Sequence, residues 1–188
     1  MGHRPAALVA AALACSACGA CGPETTSFRT TDHSDTTRFG PPSAAYDVYL
    51  AGQLVARAHV WSTGGFISAS DEPMTHVGFE ISNAGNQSLM FDGDALELVA
   101  FDSDGDRLPP PRLTAITPRG PSLVMIPPGD TIVLAAYFLL PVRPRNVIGM
   151  EARWMLRTAS DEVRQLTGFL RDDDAPILER VPPAPRSK

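Results

Sequence analysis

The chain has 188 residues, 44% of them hydrophobic and 20% charged, with 18 prolines and a formal net charge of −5, which fits one ordinary domain and argues against a multidomain enzyme. Fifteen arginines, the single Lys188 and 21 acidic residues give no cationic surplus to neutralise a phosphate backbone, so no nucleic acid partner is expected.

The chain opens with Arg4, an Ala-rich apolar stretch over 6–14, and then small residues and cysteines, Cys15-Ser16-Ala17-Cys18-Gly19-Ala20-Cys21. A short basic start, about ten apolar residues and small residues form the layout of a signal peptide. The stretch is too short to span a bilayer, which takes roughly 20 apolar residues. Residues 1–14 are therefore read as an address and not as a fold element.

Ala12-Leu13-Ala14 fits the small-x-small rule for ordinary cleavage, and with Cys15 it also resembles the lipobox of bacterial lipoproteins. It departs from the commonest lipobox because Leu13 stands two positions before the cysteine, not three; Cys18 and Cys21 are alternative acceptors. The resemblance implies cleavage before Cys15 and diacylation of its thiol, and several acyl chains hold a protein at a membrane where one binds only marginally. Ser16 in place of an Asp resembles lipoproteins passed to an outer membrane. The C-x-x-C-x-x-C spacing is rejected as an iron–sulfur site, since a fourth thiolate is missing and the motif straddles the cleavage site. All three cysteines of the chain lie here, so the domain folds without a disulfide.

From the cysteines to residue 44 the sequence is rich in Thr, Ser, Asp, Gly and Pro, with Phe28 and Phe39 as isolated large apolar residues. Such a composition buries too little apolar surface to offset ordering entropy, so 15–44 is expected to be a disordered, lipidated tether. The acidic, proline-rich segment 171–188 is expected to be an unstructured tail. The domain then covers 45–170.

Inside those limits the apolar pattern has period two, broken by Pro or Gly every eight to twelve residues, which predicts an all-β, antiparallel β-sandwich. Expected strands are 46–50, 53–61, 75–82, 88–91, 96–103, 122–126, 131–140, 147–157 and 163–170. Ala51-Gly52, Asn83-Ala84-Gly85-Asn86, Asp92-Gly93, Asp104-Gly105 and Pro127-Pro128-Gly129-Asp130 supply the turns. In 150–157, Met150, Ala152, Trp154 and Leu156 alternate with Glu151, Arg153 and Arg157, a strand packed on one face with Trp154 in the core.

The run from Val77 to Leu140 resembles the immunoglobulin-like sandwich domains of bacterial envelope lipoproteins. The resemblance is carried by the Asn83-x-Gly85 turn, Leu89, Phe91, Leu98, Asp104-Gly105, Pro127-Pro128-Gly129 and Phe138. In element order it is also similar to the intracellular proteinase inhibitor family of bacilli. These are turn and core positions, so the resemblance implies a fold and an accessory or binding role, not a catalytic one.

Residues with chemistry are few. Asp102-Ser103-Asp104-Gly105-Asp106 resembles a calcium loop only in its alternate carboxylates. Glycine falls at the fourth position and Leu113 at the twelfth, so a polar hairpin turn is the commoner reading. Met74 and His76 alternate and would suit a soft copper pair, against which methionine is a routine core filler. His59 and His76, without a thiol, are too few for structural zinc, and no cofactor is expected. No G-x-S-x-G elbow occurs and no set of nucleophile, base and oxyanion donors assembles, so no enzyme is expected.

In 53–61, if Leu54, Ala56, Ala58 and Val60 face the core, period two sends Arg57, His59 and Trp61 to the other face, a candidate protein-binding trio because Trp and Arg are enriched in binding hot spots. The alternative, and the commoner outcome, is a bulge near Gly64-Gly65 that turns Trp61 inward as core packing. His76 and Glu80 are expected on a solvated sheet face. The sequence as a whole predicts a non-catalytic envelope lipoprotein, membrane-bound through its lipid, that binds another envelope protein; the alternative is a small-ligand or copper carrier.

Overall fold

The computed structural model describes residues 24–31, 34–35, 42–118 and 123–172. In chain order the strands are β1 Thr25–Thr26, β2 Phe28–Thr30, β3 Ser34–Asp35, β4 Ser43–Leu50, β5 Gln53–Ile67, β6 Pro73–Asn83, β7 Leu89–Asp92, β8 Glu97–Phe101, β9 Arg112–Thr117, β10 Leu123–Ile126, β11 Thr131–Leu139, β12 Gly149–Arg157 and β13 Glu162–Arg171. Among the described residues the one helical element is a 3-10 turn, Pro144–Asn146.

The strands form two antiparallel sheets. One runs β3-β4-β5-β6-β11-β9, with β1 paired to the far half of β5; the other runs β10-β7-β12-β13-β2, with β8 also on β12. Packed face to face they make the predicted all-β sandwich, because each central strand offers one apolar side every second residue. Ala56, Ala58 and Val60 of β5, Val77, Phe79 and Ile81 of β6, and Leu134, Ala136 and Phe138 of β11 line the inner face of the first sheet. Met150, Ala152, Trp154 and Leu156 of β12 answer from the second.

Trp154 sits at the centre as expected. It meets Phe79 edge-on at 5.9 Å and Tyr46 at 5.6 Å, while Phe79 reaches Phe91 at 5.2 Å. A fully buried indole removes roughly 200 Å² from water, about 5 kcal/mol of transfer free energy, provided its N–H is satisfied. Thr167 does that: its Oγ1 accepts from Trp154 Nε1 at 3.1 Å and lies 2.9 Å from the Tyr46 hydroxyl, which ties the two sheets through one buried polar atom.

The domain starts earlier than residue 45. The expected tether over 15–44 is corrected at 24–31, 34–35 and 42–44: β1 pairs with Phe66 and Gly65 of β5, β2 pairs with 169–171 of β13, β3 pairs with Ala44 and Ser43 of β4, and Phe28 is buried in the core. Ser43 and Ala44 are buried too. A three-residue strand with one large apolar residue has no readable period, and its pairing is supplied by β13, not by local preference. At the other end Arg171 completes β13 and the Asp172 N–H donates to the Ser27 carbonyl at 2.9 Å, so the expected tail at 171–188 loses its first two residues; 173–188 lie outside the described residues.

Strand β9 is the other addition. Its two core-facing residues, Leu113 and Ile116, stand three apart because the pairing with β11 slips between Tyr137 and Phe138 and leaves Thr114 as the extra residue. That bulge hides the period-two signal, and Pro111 and Pro118 on its flanks add to the disguise.

Candidate interaction face of the seven-stranded sheet

On β5 the alternation works as the pattern predicts. Ala56, Ala58 and Val60 are fully buried, and Arg57, His59 and Trp61 take the outer face. The register places them in three rows: Asp47–Arg57–Ser82–Thr131, Ala45–His59–Glu80–Val133, and Ser43–Trp61–Gly78–Ala135. Arg57 is exposed and pairs loosely with Asp47 at 3.5 Å. His59 is half-buried, and its Nδ1 is enclosed with no hydrogen-bond partner among the described residues. Val133 leaves 53% of its surface open in the same patch.

The bulge anticipated near Gly64-Gly65 exists, but it begins after Trp61 and so does not turn the indole into the core. Trp61 stays on the outer face and is half-buried there by lying across Gly78, whose absent side chain makes the space: a Cβ on Gly78 would collide with Cε2, Cζ2 and Nε1 of the indole. A glycine within a strand signals such a close approach. Trp61 is thus outward and not turned into the core, although the outward indole is packed on the sheet.

The bulge itself is tightly specified. Gly64 has φ of +107°, and a Cβ there would meet the Thr26 carbonyl of β1, so only glycine fits. Ser62 is buried; its hydroxyl donates to the His76 carbonyl at 2.8 Å and accepts from the Gly64 N–H at 3.1 Å, while Thr75 Oγ1 donates to the Gly64 carbonyl at 3.0 Å. These bonds satisfy the backbone that the slipped ladder leaves unpaired.

His76 departs from expectation. It is on the outer face but not solvated: only 7% of its surface is open, its ring leans on Tyr137 at 5.2 Å, and its Nδ1 lies 3.1 Å from Thr63 Oγ1. Burial disfavours the imidazolium and pulls its pKa from 6.5 down to about 4, so the ring is neutral at pH 7. Glu80, in contrast, is exposed as expected. Met74 shares the face with His76, opposite Phe66 and Leu139. The surroundings of Met74 are apolar and one nitrogen of His76 is already engaged. Among the described residues no three His, Cys, Asp or Glu side chains gather as a metal group. Thr63, Gly78, Val133 and Tyr137 are the members of this face that sequence reasoning missed, and only Gly78 carried a readable signal.

The remaining candidates fall elsewhere. Cys15, Cys18 and Cys21 lie outside the described residues. The 102–106 segment is a turn: Asp102 Oδ1 accepts from the N–H groups of Asp104 and Asp106, each at 3.0 Å, and Gly105 has φ of +81°. Depressions among the described residues include two on different parts of the surface. One of about 480 Å³ lies on the outer face of the six-stranded sheet between Glu97, Arg153, Arg164 and Leu166; another of about 360 Å³ lies among the loops at 50–55, 84–87 and 158–161.

No family model matches the chain, and no curated protein matches it. Solved structures similar to it include a FixG-related protein from Vibrio parahaemolyticus, at 12% identity and a TM-score of 0.39, covering 61% of this chain and 94% of that one. Structural-genomics target SoR45 is similar at 14% identity and a TM-score of 0.41, over 62% of this chain and 84% of its own. Likeness at this level carries nothing about activity.

Proposed function

We propose that this protein is a non-catalytic envelope lipoprotein, acylated at Cys15 and held at the outer membrane, whose sandwich binds another envelope protein through the outer face of its seven-stranded sheet. The single observation that carries the binding site is the outward Trp61, packed on Gly78 and flanked by Arg57, His59 and the exposed Val133. A rigid, half-covered aromatic beside an arginine supplies contact area at low ordering cost. The address comes from the Ala12-Leu13-Ala14-Cys15 resemblance. The engagement of His76 by Thr63 and Tyr137 favours this reading over a copper carrier using Met74 and His76.

The test is photo-cross-linking in cells from a reactive residue placed at Val133 of the full-length protein. The expected result is one dominant envelope-protein adduct that is lost on changing Arg57, His59 and Trp61 to Ala. A membrane-located protein that gives no adduct above background would overturn the assignment.

A further inference from the structure

The chain enters the sandwich almost as soon as its cysteines end. Glu24 is the first described residue, Thr25 already pairs with Phe66, and Phe28 is in the core. Between the acceptor cysteine and Glu24 there are 8 residues for Cys15, 5 for Cys18 and 2 for Cys21. Fully extended, those steps reach at most about 30, 20 or 10 Å. The sandwich is itself about 35 Å long, from the rise of an 11-residue strand such as β6.

We propose that the sandwich stands end-on at the bilayer, with the end around Glu24 apposed to lipid headgroups and the opposite end, at Ala51-Gly52, 84–87 and 158–161, held away from it. The proposal rests on the lipid-anchored reading above and adds its geometry. The Glu24 end comprises the 68–72 hairpin, the Pro144–Asn146 turn and, beyond Phe101, the 102–106 loop. Phe66, Ile67 and Val142 are half-buried there. Six arginines, Arg29, Arg107, Arg112, Arg143, Arg145 and Arg171, stand at this end against Glu24, Asp71, Glu72, Asp102, Asp104, Asp106 and Asp172; Arg143 reaches Glu24 at 3.2 Å and Asp71 at 3.8 Å, and Arg145 reaches Glu24 at 3.8 Å. With Asp102, Asp104 and Asp106 nearby, this end has no excess of positive charge, so the lipid it suits is zwitterionic and the contact is held by the short linker, not by anionic headgroups.

The domain has no cysteine, so one introduced thiol reports one place. Full-length protein is purified from membranes, and the mass of its N-terminal peptide identifies the acylated cysteine; the other two are changed to Ser. A fluorophore is then attached at Ala69→Cys, in the 68–72 hairpin, or at Asn86→Cys at the opposite end. The protein is reconstituted in phosphatidylcholine–phosphatidylethanolamine vesicles doped with headgroup-spin-labelled lipid. Quenching several-fold stronger at 69 than at 86, little changed by salt, is the expected result. A spacer of about twenty Gly and Ser residues inserted between Pro23 and Glu24 should abolish the difference by freeing the domain. Equal or reversed quenching on a protein shown to be acylated overturns the orientation alone, and a difference that survives the spacer overturns the linker argument. An N-terminal peptide without acyl mass overturns the anchored reading and the orientation with it.

Discussion

Asn83 closes β6 and ties two loops together, 84–88 and 127–130, which makes its replacement the sharpest test of how this end of the sandwich is built. Its Nδ2 donates to the carbonyls of Gln87 and Ile126, both at 2.8 Å, and its Oδ1 accepts from the Gly85 N–H at 2.9 Å. Its main chain is paired as well, donating to the Asp130 carbonyl at 2.9 Å and accepting from the Gly129 N–H at 3.0 Å. In Asn83→Ala the Gln87 carbonyl and Gly85 N–H turn to water, because that loop is open, and each loses about 1 kcal/mol. Ile126 is fully buried, so its carbonyl is left with less than it needs, adding about 1–2 kcal/mol. The expected loss is about 3 kcal/mol, or roughly 6–12 °C in melting temperature for a chain of this size. Urea unfolding of the full chain measures it, with Asn86→Ala, an exposed neighbour, as a control expected within about 0.5 kcal/mol of the unchanged protein. Asn83→Asp keeps the acceptor for Gly85 but sets a carboxylate against two carbonyls, so it should cost at least as much as Ala. A loss below about 1 kcal/mol for Asn83→Ala, or a milder effect for Asp than for Ala, would refute the reasoning.

Phe28→Ala should cost about 3 kcal/mol in the same assay, because Phe28 belongs to the core, whereas a tether residue would leave the urea midpoint unmoved. Gly78→Ala should destabilise the chain by about 1–3 kcal/mol and red-shift the Trp61 emission by lifting the indole off the sheet. Trp61→Ala in the same chain should recover most of that loss, which a double-mutant cycle reads directly. For His76 the folded pKa of about 4 lies below the unfolded 6.5, so the unfolded chain takes up the proton first as pH falls. Stability from this group is complete above pH 6.5 and is lost toward pH 4, where the chain should have fallen about 3 kcal/mol further than His76→Gln in paired urea titrations.

What the sequence discloses follows the range of the interactions involved. Strands β4 to β8 and β10 to β13 were readable because each is either a period-two run, as in β5, β6 and β12, or a short near-continuous apolar run, as in β7, β8, β10 and β11, bounded by turn residues. The N-terminal strands β1 and β2 were not, since two or three residues with at most one large apolar side chain hold their place only through partners on β5 and β13 more than 35 positions away. On the outer face of the seven-stranded sheet, alternation sent Arg57, His59 and Trp61 outward, as they are, but it said nothing about depth. Whether an outward ring is wet depends on its cross-strand neighbour: Gly78 opposite Trp61 makes a bed for the indole, and Tyr137 beside His76 with Thr63 on the bulge shuts water out. Those neighbours come from strand register, which a single chain read residue by residue does not show.

The same neighbours alter how the face would bind. Trp61 has already covered much of its ring on the sheet, so docking buries less new indole surface than a free side chain would, but it costs little rotamer entropy. His76 is neutral and enclosed, so it contributes by holding Tyr137 and the bulge in place, not by contact. Arg57 is open to solvent and its pairing with Asp47 at 3.5 Å is weak enough to be exchanged for a partner's carboxylate. The enclosed Nδ1 of His59 and the exposed Val133 share a row with Glu80. A partner suited to this patch would carry an acidic group over Arg57 and an apolar one over Val133 and the indole edge in the next two rows, and that pairing of charge with apolar contact is where its specificity would come from.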